Sequence, residues 1–235
     1  MIWKFALILF LFSACEERAT KTKVFRMDHV VIIDTTVVAT DFLHPGENTD
    51  YPSYYIGAAA DTIKIGRLYW SGRTPWRDDE RIVSSGKFSD KTLRILVDSN
   101  SETNSTVEYM STDERVVRDS CRNIHAFLFS IQNISDTAIY LGRTFSVYSI
   151  HREAKDRRGR WVNVDRSLSE AGICLTGEPT IILKPGEIVI SKVRRYKGAF
   201  HTEFRLVLKH EKGIVYSNVF RDWIDERSLG ENGGR

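Results

Sequence analysis

The chain has 235 residues, 42% hydrophobic, 28% charged and 11% aromatic. That balance excludes wholesale disorder, a collagen-like helix and a coiled coil, and it suffices for one large domain or two small ones with real cores. Lys and Arg number 34 against 31 Asp and Glu, a net charge of +3, too small and dispersed an excess to predict a nucleic-acid partner.

Lys4 precedes a short apolar run, Phe5 to Phe12, and then Ser13-Ala14-Cys15. One cation, a short apolar stretch and small residues describe a secretory signal peptide over 1–14; a spanning helix would need roughly 20 apolar residues. Ser13-Ala14-Cys15 resembles the lipobox of bacterial lipoproteins, with Phe12 where an aliphatic residue is usual, in the Phe-rich manner of the Bacteroidetes group. The resemblance implies cleavage before Cys15, acylation of that cysteine, and a place on a membrane of the cell envelope facing the periplasm or cell surface. Residues 15–23 then read as the lipidated Cys and a polar tether. An oxidising compartment permits a disulfide between Cys121 and Cys174. It would close a loop of about 53 residues for roughly 4 kcal/mol; two separate buried thiols are the alternative.

Beyond the tether, period-two alternation and short apolar runs are punctuated by turn residues, which predicts strands. In the first part these are 30–33, 35–39, 54–56, 62–68 and 93–97, with 71–89 a long surface loop. Ser99 to Ser105 is the most linker-like stretch. It places a boundary between a β-rich N-terminal domain, 24–104, and a C-terminal sandwich, 105–224. In the second part Phe127, Phe129 and Ile131 share one face of a strand over 126–132, and Asn133 to Thr137 is turn chemistry. Strands follow at 139–141, 145–152, 160–164, 180–183 and 188–193. Asp156-Arg157-Arg158-Gly159 and Lys184-Pro185-Gly186-Glu187 are reversals.

Residues 200–208 alternate most cleanly, with Phe200, Thr202, Phe204, Leu206 and Leu208 on one face. His210-Glu211-Lys212-Gly213 turns the chain back into 214–220. Short helices are expected only at 112–119 and 222–229, and 225–235 reads as a flexible tail. Ile56 to Arg67 echoes Ile131 to Arg143, as a tandem pair of related sandwiches would. The fold class is all-β, an antiparallel immunoglobulin-like β-sandwich with room for two tandem β-rich domains. Trp161 is the aromatic expected between the two sheets.

From Gly159 onward, G-R-W-V (159–162), Cys174, L-K-P-G-E (183–187), Y-K-G-A-F-H-T (196–202) and Y-S-N-V-F (216–220) stand in the order found in a group of secreted Bacteroidetes lipoproteins. The chain resembles that group over 124–222. The resemblance implies an immunoglobulin-like sandwich and an envelope location; it implies no reaction.

The sequence holds no G-x-S-x-G, G-x-x-x-x-G-K-[ST] or G-x-G-x-x-G. His201 and Glu203, two apart on a strand, could offer two metal ligands, yet they read as a solvated face opposite Phe200, Thr202 and Phe204. No catalytic residue, metal or cofactor is assigned. Positive charge gathers beside Trp161 and Tyr196, where Arg157, Arg158, Arg160, Arg194, Arg195 and Lys197 form a candidate binding patch for anionic headgroups or acidic glycans. A solvated edge that discourages strand pairing is the plainer reading. The expected function is a membrane-anchored, non-enzymatic binding module whose partner is an envelope protein or glycan. An envelope hydrolase with its site between the halves and a protease-inhibitor-like module are the alternatives.

Overall fold

The computed structural model describes residues 22–27, 29–35, 38–44, 47, 49, 51–66, 87–109, 120–143, 147, 150–165, 180–210 and 213–229, without the side chains of 106–109, 120, 121, 142, 143 and 180. Among them lie fourteen strands and no α-helix. They are β1 (Lys23–Met27), β2 (Val30–Asp34), β3 (Ser53–Ala58), β4 (Thr62–Ile65), β5 (Leu93–Tyr109), β6 (Ser120–Asn133), β7 (Ile139–Arg143), β8 (Ile150–Lys155), β9 (Trp161–Asn163), β10 (Thr180–Leu183), β11 (Glu187–Arg194), β12 (Phe200–His210), β13 (Gly213–Tyr216) and β14 (Phe220–Ile224). A 3-10 turn, Glu226–Leu229, follows. The leader, the tether to Lys21, most of the 71–89 loop, the 112–119 helix, Cys15, Cys174 and the side chain of Cys121 lie outside the described residues.

The protein is mostly β, built from several antiparallel sheets. The central sheet runs β3-β11-β6-β5. A second carries β9-β8-β12, with β13 and then β14 paired along the far edge of β12. A third runs β1-β2-β4, in which β2 and β4 are parallel. β7 and β10 pair with each other.

Alternation along the central strands dictates how these sheets stack. Leu128, Ile188 and Ile190 turn to one face and join Phe25, Val30, Ile32, Tyr54, Ile63 and Ile65 in one core. Their neighbours Phe127, Phe129, Ile131, Val189 and Val193 turn to the other face and join Ile150, Ala154, Phe204, Leu206, Leu208 and Phe220 in a larger one. Successive side chains of a strand point to opposite faces, so the central sheet is covered on both sides and the body has three layers. That explains why β6 and β11 read as nearly unbroken apolar runs rather than as half-buried alternation. β7 and β10 add Ile139, Leu141, Ile181 and Leu183 to the larger core.

This pairing bears on the expected boundary. Residues 104 and 105 fall inside β5, and the linker-like Ser99 to Ser105 is strand, with an irregularity between Asp98 and Glu102 where the register with β6 shifts. Ladder hydrogen bonding to β6 accommodates Ser, Asn and Thr whose sequence alone resembles a linker. β3 pairs with β11 on the edge opposite β6, so the echoing units begin as two flanks of one strand in one sheet, and not as separate sandwiches.

The turns behave as their residues require. Glu187 N–H donates to Lys184 O across Pro185-Gly186, and Gly186 has φ +76°, the type II pattern. Gly159, φ +75°, closes the β8–β9 hairpin while Asp156 Oδ1 accepts from the N–H groups of Arg158 and Arg160. Asn133 Oδ1 accepts from Ser135 N–H, and its Nδ2 donates to Leu183 O, tying the end of β6 to the end of β10. The expected strand over 214–220 is two strands with a break at 217–219, and most of the expected helix over 222–229 is β14 plus the 3-10 turn.

Candidate functional site

The outer face of the β9-β8-β12-β13/β14 sheet is the most distinctive surface. Register places His201 opposite Trp223, Glu203 opposite Arg221, Val207 opposite Tyr216 and Lys209 opposite Ile214, with Val207 buried and Lys209, Ile214, Tyr216 and Trp223 exposed. Seven large hydrophobic side chains are exposed among the described residues, and four of them, Ile214, Tyr216, Val219 and Trp223, fall within ten residues on this face. Trp223 is 46% exposed and its ring lies 4.9 Å from that of His201.

Between Trp223 and Tyr216 this face is charged. Arg205 sits between two rings, 4.3 Å from Trp161 and 4.1 Å from Tyr216, and its Nε donates to Glu153 at 2.8 Å. Lys155 lies over Trp161 at 5.1 Å and pairs with Glu203 at 2.7 Å, which in turn meets Arg221. Trp161 therefore does not fill the space between the sheets. It is half-buried on the outer face of β9, because its position alternates with Val162, which packs on the core. Stacking of guanidinium on indole and phenol fixes side chains that would otherwise lose several rotamers on binding.

The basic patch expected from the sequence is not assembled. Arg157 and Arg160 are exposed but paired, with Glu226 and Asp156 respectively, and only Arg158 and Lys197 are exposed without a described ion-pair partner. Arg195 holds Asp222 at 2.7 Å and Glu102 at 3.2 Å. Burial is the largest single effect and works against the charge of Arg195, but the hydrogen bond to Asp222 and the charges of Asp222 and Glu102 together outweigh it and hold the guanidinium above its usual range. Arg194 is 5% exposed and donates to Ser105 Oγ. It and Lys192 belong to the central strand of a sheet covered on both faces, which a run of basic letters does not reveal.

Two buried ion pairs lie in the two interlayer spaces. Lys192 Nζ meets Asp34 Oδ2 at 2.7 Å and also donates to Asn104 O, with Thr103 donating to the same carboxylate. Burial pushes the Lys192 ammonium down to about 8 although Asp34 pulls the other way. In the opposite space Arg152 meets Asp165 at 3.1 Å and donates to Arg194 O, while Tyr51 and Tyr196 both donate to Asp165. Burial, then Asp165, raises the Tyr51 phenol well above its usual range. Burial likewise raises Tyr196, so both phenols are neutral at neutral pH. Neither pair reaches solvent, and both serve to register layers.

A third cluster forms where residues 41–43 wedge between the diverging ends of β6 and β11. His125 N–H donates to Asp41 O, Leu43 N–H to Arg195 O, and Lys197 N–H to Leu43 O. The Phe42 ring stacks on His125 at 4.4 Å, His125 bonds Glu102, and Arg122 binds Asp41 and Glu47. The carboxylates are committed to guanidiniums and His125, and no group of three His, Cys, Asp or Glu able to hold a metal occurs among the described residues. A shallow cleft of about 20 Å³ between β2 and the central sheet, lined by Met27, His29, Leu96 and Gln132 among others, has room for little more than a water.

Trp223, Tyr216 and Val219 were not singled out by the sequence reading as a surface. The signal was present: F-R-D-W-I alternates, and Trp223 shares the outward parity of Arg221. No family model, no curated protein and no solved structure matches the chain.

Proposed function

We propose that the protein is a non-enzymatic binding module, carried on the bacterial envelope by a lipid at Cys15, that engages an envelope protein or glycan through the outer face of β13 and β14. The observation that carries the reading is the concentration of exposed Ile214, Tyr216, Val219 and Trp223 within β13, β14 and the break between them, along one edge of β12. Apolar side chains scattered singly need no explanation, whereas four gathered along one edge of a sheet, interleaved with ordered charged groups, suit an interaction surface. The Trp161–Arg205–Tyr216 stack beside it supplies the pre-ordered aromatic and guanidinium groups that dominate binding energy elsewhere. The leader and Ser13-Ala14-Cys15 support the anchor, and the two sheets that face each other across the larger core support an immunoglobulin-like reading of the C-terminal half.

Substitution tests the surface. Trp223→Ala with Tyr216→Ala should abolish retention of an envelope fraction on the immobilised protein while leaving the unfolding midpoint within the range of ordinary surface changes, about 0.5 kcal/mol. Retention that survives the double substitution contradicts the assignment, and so does turnover of any substrate that a single point substitution abolishes.

A further inference from the structure

The opposite outer face, that of β1-β2-β4, has a different chemistry. Its outward positions are Val24 and Arg26 on β1, Val31 and Ile33 on β2, and Thr62 and Lys64 on β4; the inward ones, Phe25, Ile32 and Ile63 among them, fill the smaller core. Register sets Val24, Ile33 and Lys64 in one row across the strands and Arg26, Val31 and Thr62 in the next. No outward position is acidic. Val24 is the most exposed large hydrophobic of the described residues, at 63%. Arg26 and Lys64 are exposed and have no ion-pair partner among the described residues, unlike most arginines of the other outer face. The one carboxylate of β2, Asp34, points inward to Lys192. Asp61, exposed, stands at the end of the face, just before β4.

β1 begins at Lys23, eight residues after Cys15. Eight residues span at most about 29 Å when fully extended, so a lipid on Cys15 would hold this sheet within one short tether of the bilayer surface. The tether itself adds Arg18 and Lys21 to the cations at this end, against Glu16 and Glu17. We infer that the outer face of β1-β2-β4 docks on the anionic surface of the bilayer that holds the Cys15 lipid, with Arg26 and Lys64 among the headgroups and Val24 at the acyl boundary. The inference rests on the anchor proposed above. Two cations and one valine make a weak contact alone, but tethering supplies an effective concentration on the order of millimolar, at which a weak contact suffices. Because the body has three layers, docking by this face turns the Ile214–Trp223 face away from the membrane and toward a partner.

The test uses the native full chain purified from its membrane fraction and reconstituted in vesicles of phosphatidylcholine with about 30% phosphatidylglycerol, or of phosphatidylcholine alone. Acetylation by an N-hydroxysuccinimide ester is followed by mass spectrometry at Lys64 and at Lys209, an exposed lysine of the opposite face. The expected result is that Lys64 reacts at least about twofold slower on the anionic vesicles than in detergent, as a contact of millimolar strength held at millimolar effective concentration gives. Lys209 should be unchanged, and protection should be lost in salt on the order of 1 M, where the Debye length is about 3 Å. Arg26→Glu, at an exposed position, should abolish the protection of Lys64. A chain that floats with the vesicles yet labels equally at Lys64 and Lys209 overturns the docking alone; a chain that does not float overturns the anchor and the docking together. Protection of Lys64 in native membranes but not on the vesicles would assign the face to a protein partner and overturn the lipid.

Discussion

Lys192 and Asp34 stand 2.7 Å apart with essentially no solvent exposure on either side chain, joining β11 of the central sheet to β2 of the N-terminal layer. Apolar side chains such as Ile32, Ile63, Leu128 and Ile190 line the same space, and Thr103 and the Asn104 carbonyl hydrogen-bond the pair. Removing one partner leaves the other charged and buried, and the cost of that exceeds the net value of the pair itself. Lys192→Ala is expected to destabilise the protein by about 3–5 kcal/mol. Lys192→Met combined with Asp34→Asn should cost far less than the two single changes summed, giving a coupling energy in the range of about 1–3 kcal/mol typical of contacting residues. Urea denaturation of the four proteins in the cycle measures this; additive effects would show that the layers are registered by apolar packing alone.

The same lysine gives stability a pH dependence. Its ammonium loses its proton near 8 in the folded protein, against 10.5 for the unfolded group. Between those values the unfolded chain binds the extra proton, so stability contributed by Lys192 rises as pH increases from about 8 to about 10.5. That contribution is fully present above the unfolded value and is lost as pH falls through 8. Denaturation midpoints should therefore rise across this window more steeply for the wild type than for Lys192→Met. Parallel slopes would show that Asp34 keeps the ammonium charged throughout.

Two glycines separate close packing from local conformation. A Cβ on Gly198 would lie 1.9 Å from Ile224 C and 2.1 Å from Ile224 O, so alanine there must push the end of β14 away. A Cβ on Gly159 would meet nothing within 4 Å, and only its φ of +75° opposes alanine. Gly198→Ala is expected to cost about 1–3 kcal/mol as an overpacked site, and Gly159→Ala about 1 kcal/mol as a left-handed position. Thermal or chemical melts of the two variants check the order; the reverse order would mean that β14 is loosely held.

The apolar runs of β6 and β11 and the alternation of β12 are readable because strand period and burial agree there: Phe127, Phe129 and Ile131 face one core as their spacing requires. The turns at Gly159 and Gly186 were equally readable, since each depends on a positive φ at one residue. What the letters hid depends on neighbours distant in the chain. Lys192 and Arg194 look like a solvated basic run until β11 is known to be covered on both faces. Ser99 to Ser105 looks like a linker until β6 pairs with it. Trp161 looks like a core residue until Lys155 and Arg205 are seen to cover it from outside. The Trp223 face was hidden for the opposite reason, an expected helix at 222–229 concealing a strand whose alternation was present.

Photo-crosslinking on intact cells tests the binding surface most directly. A benzophenone side chain placed at Val219, exposed at the centre of the strip, should give a discrete adduct that disappears on Trp223→Ala. The same probe at Lys184, exposed at the β10–β11 turn, should give none. Adducts that are the same from both positions, or that persist in Trp223→Ala, would contradict the assignment of the β13–β14 face as the surface through which the protein acts.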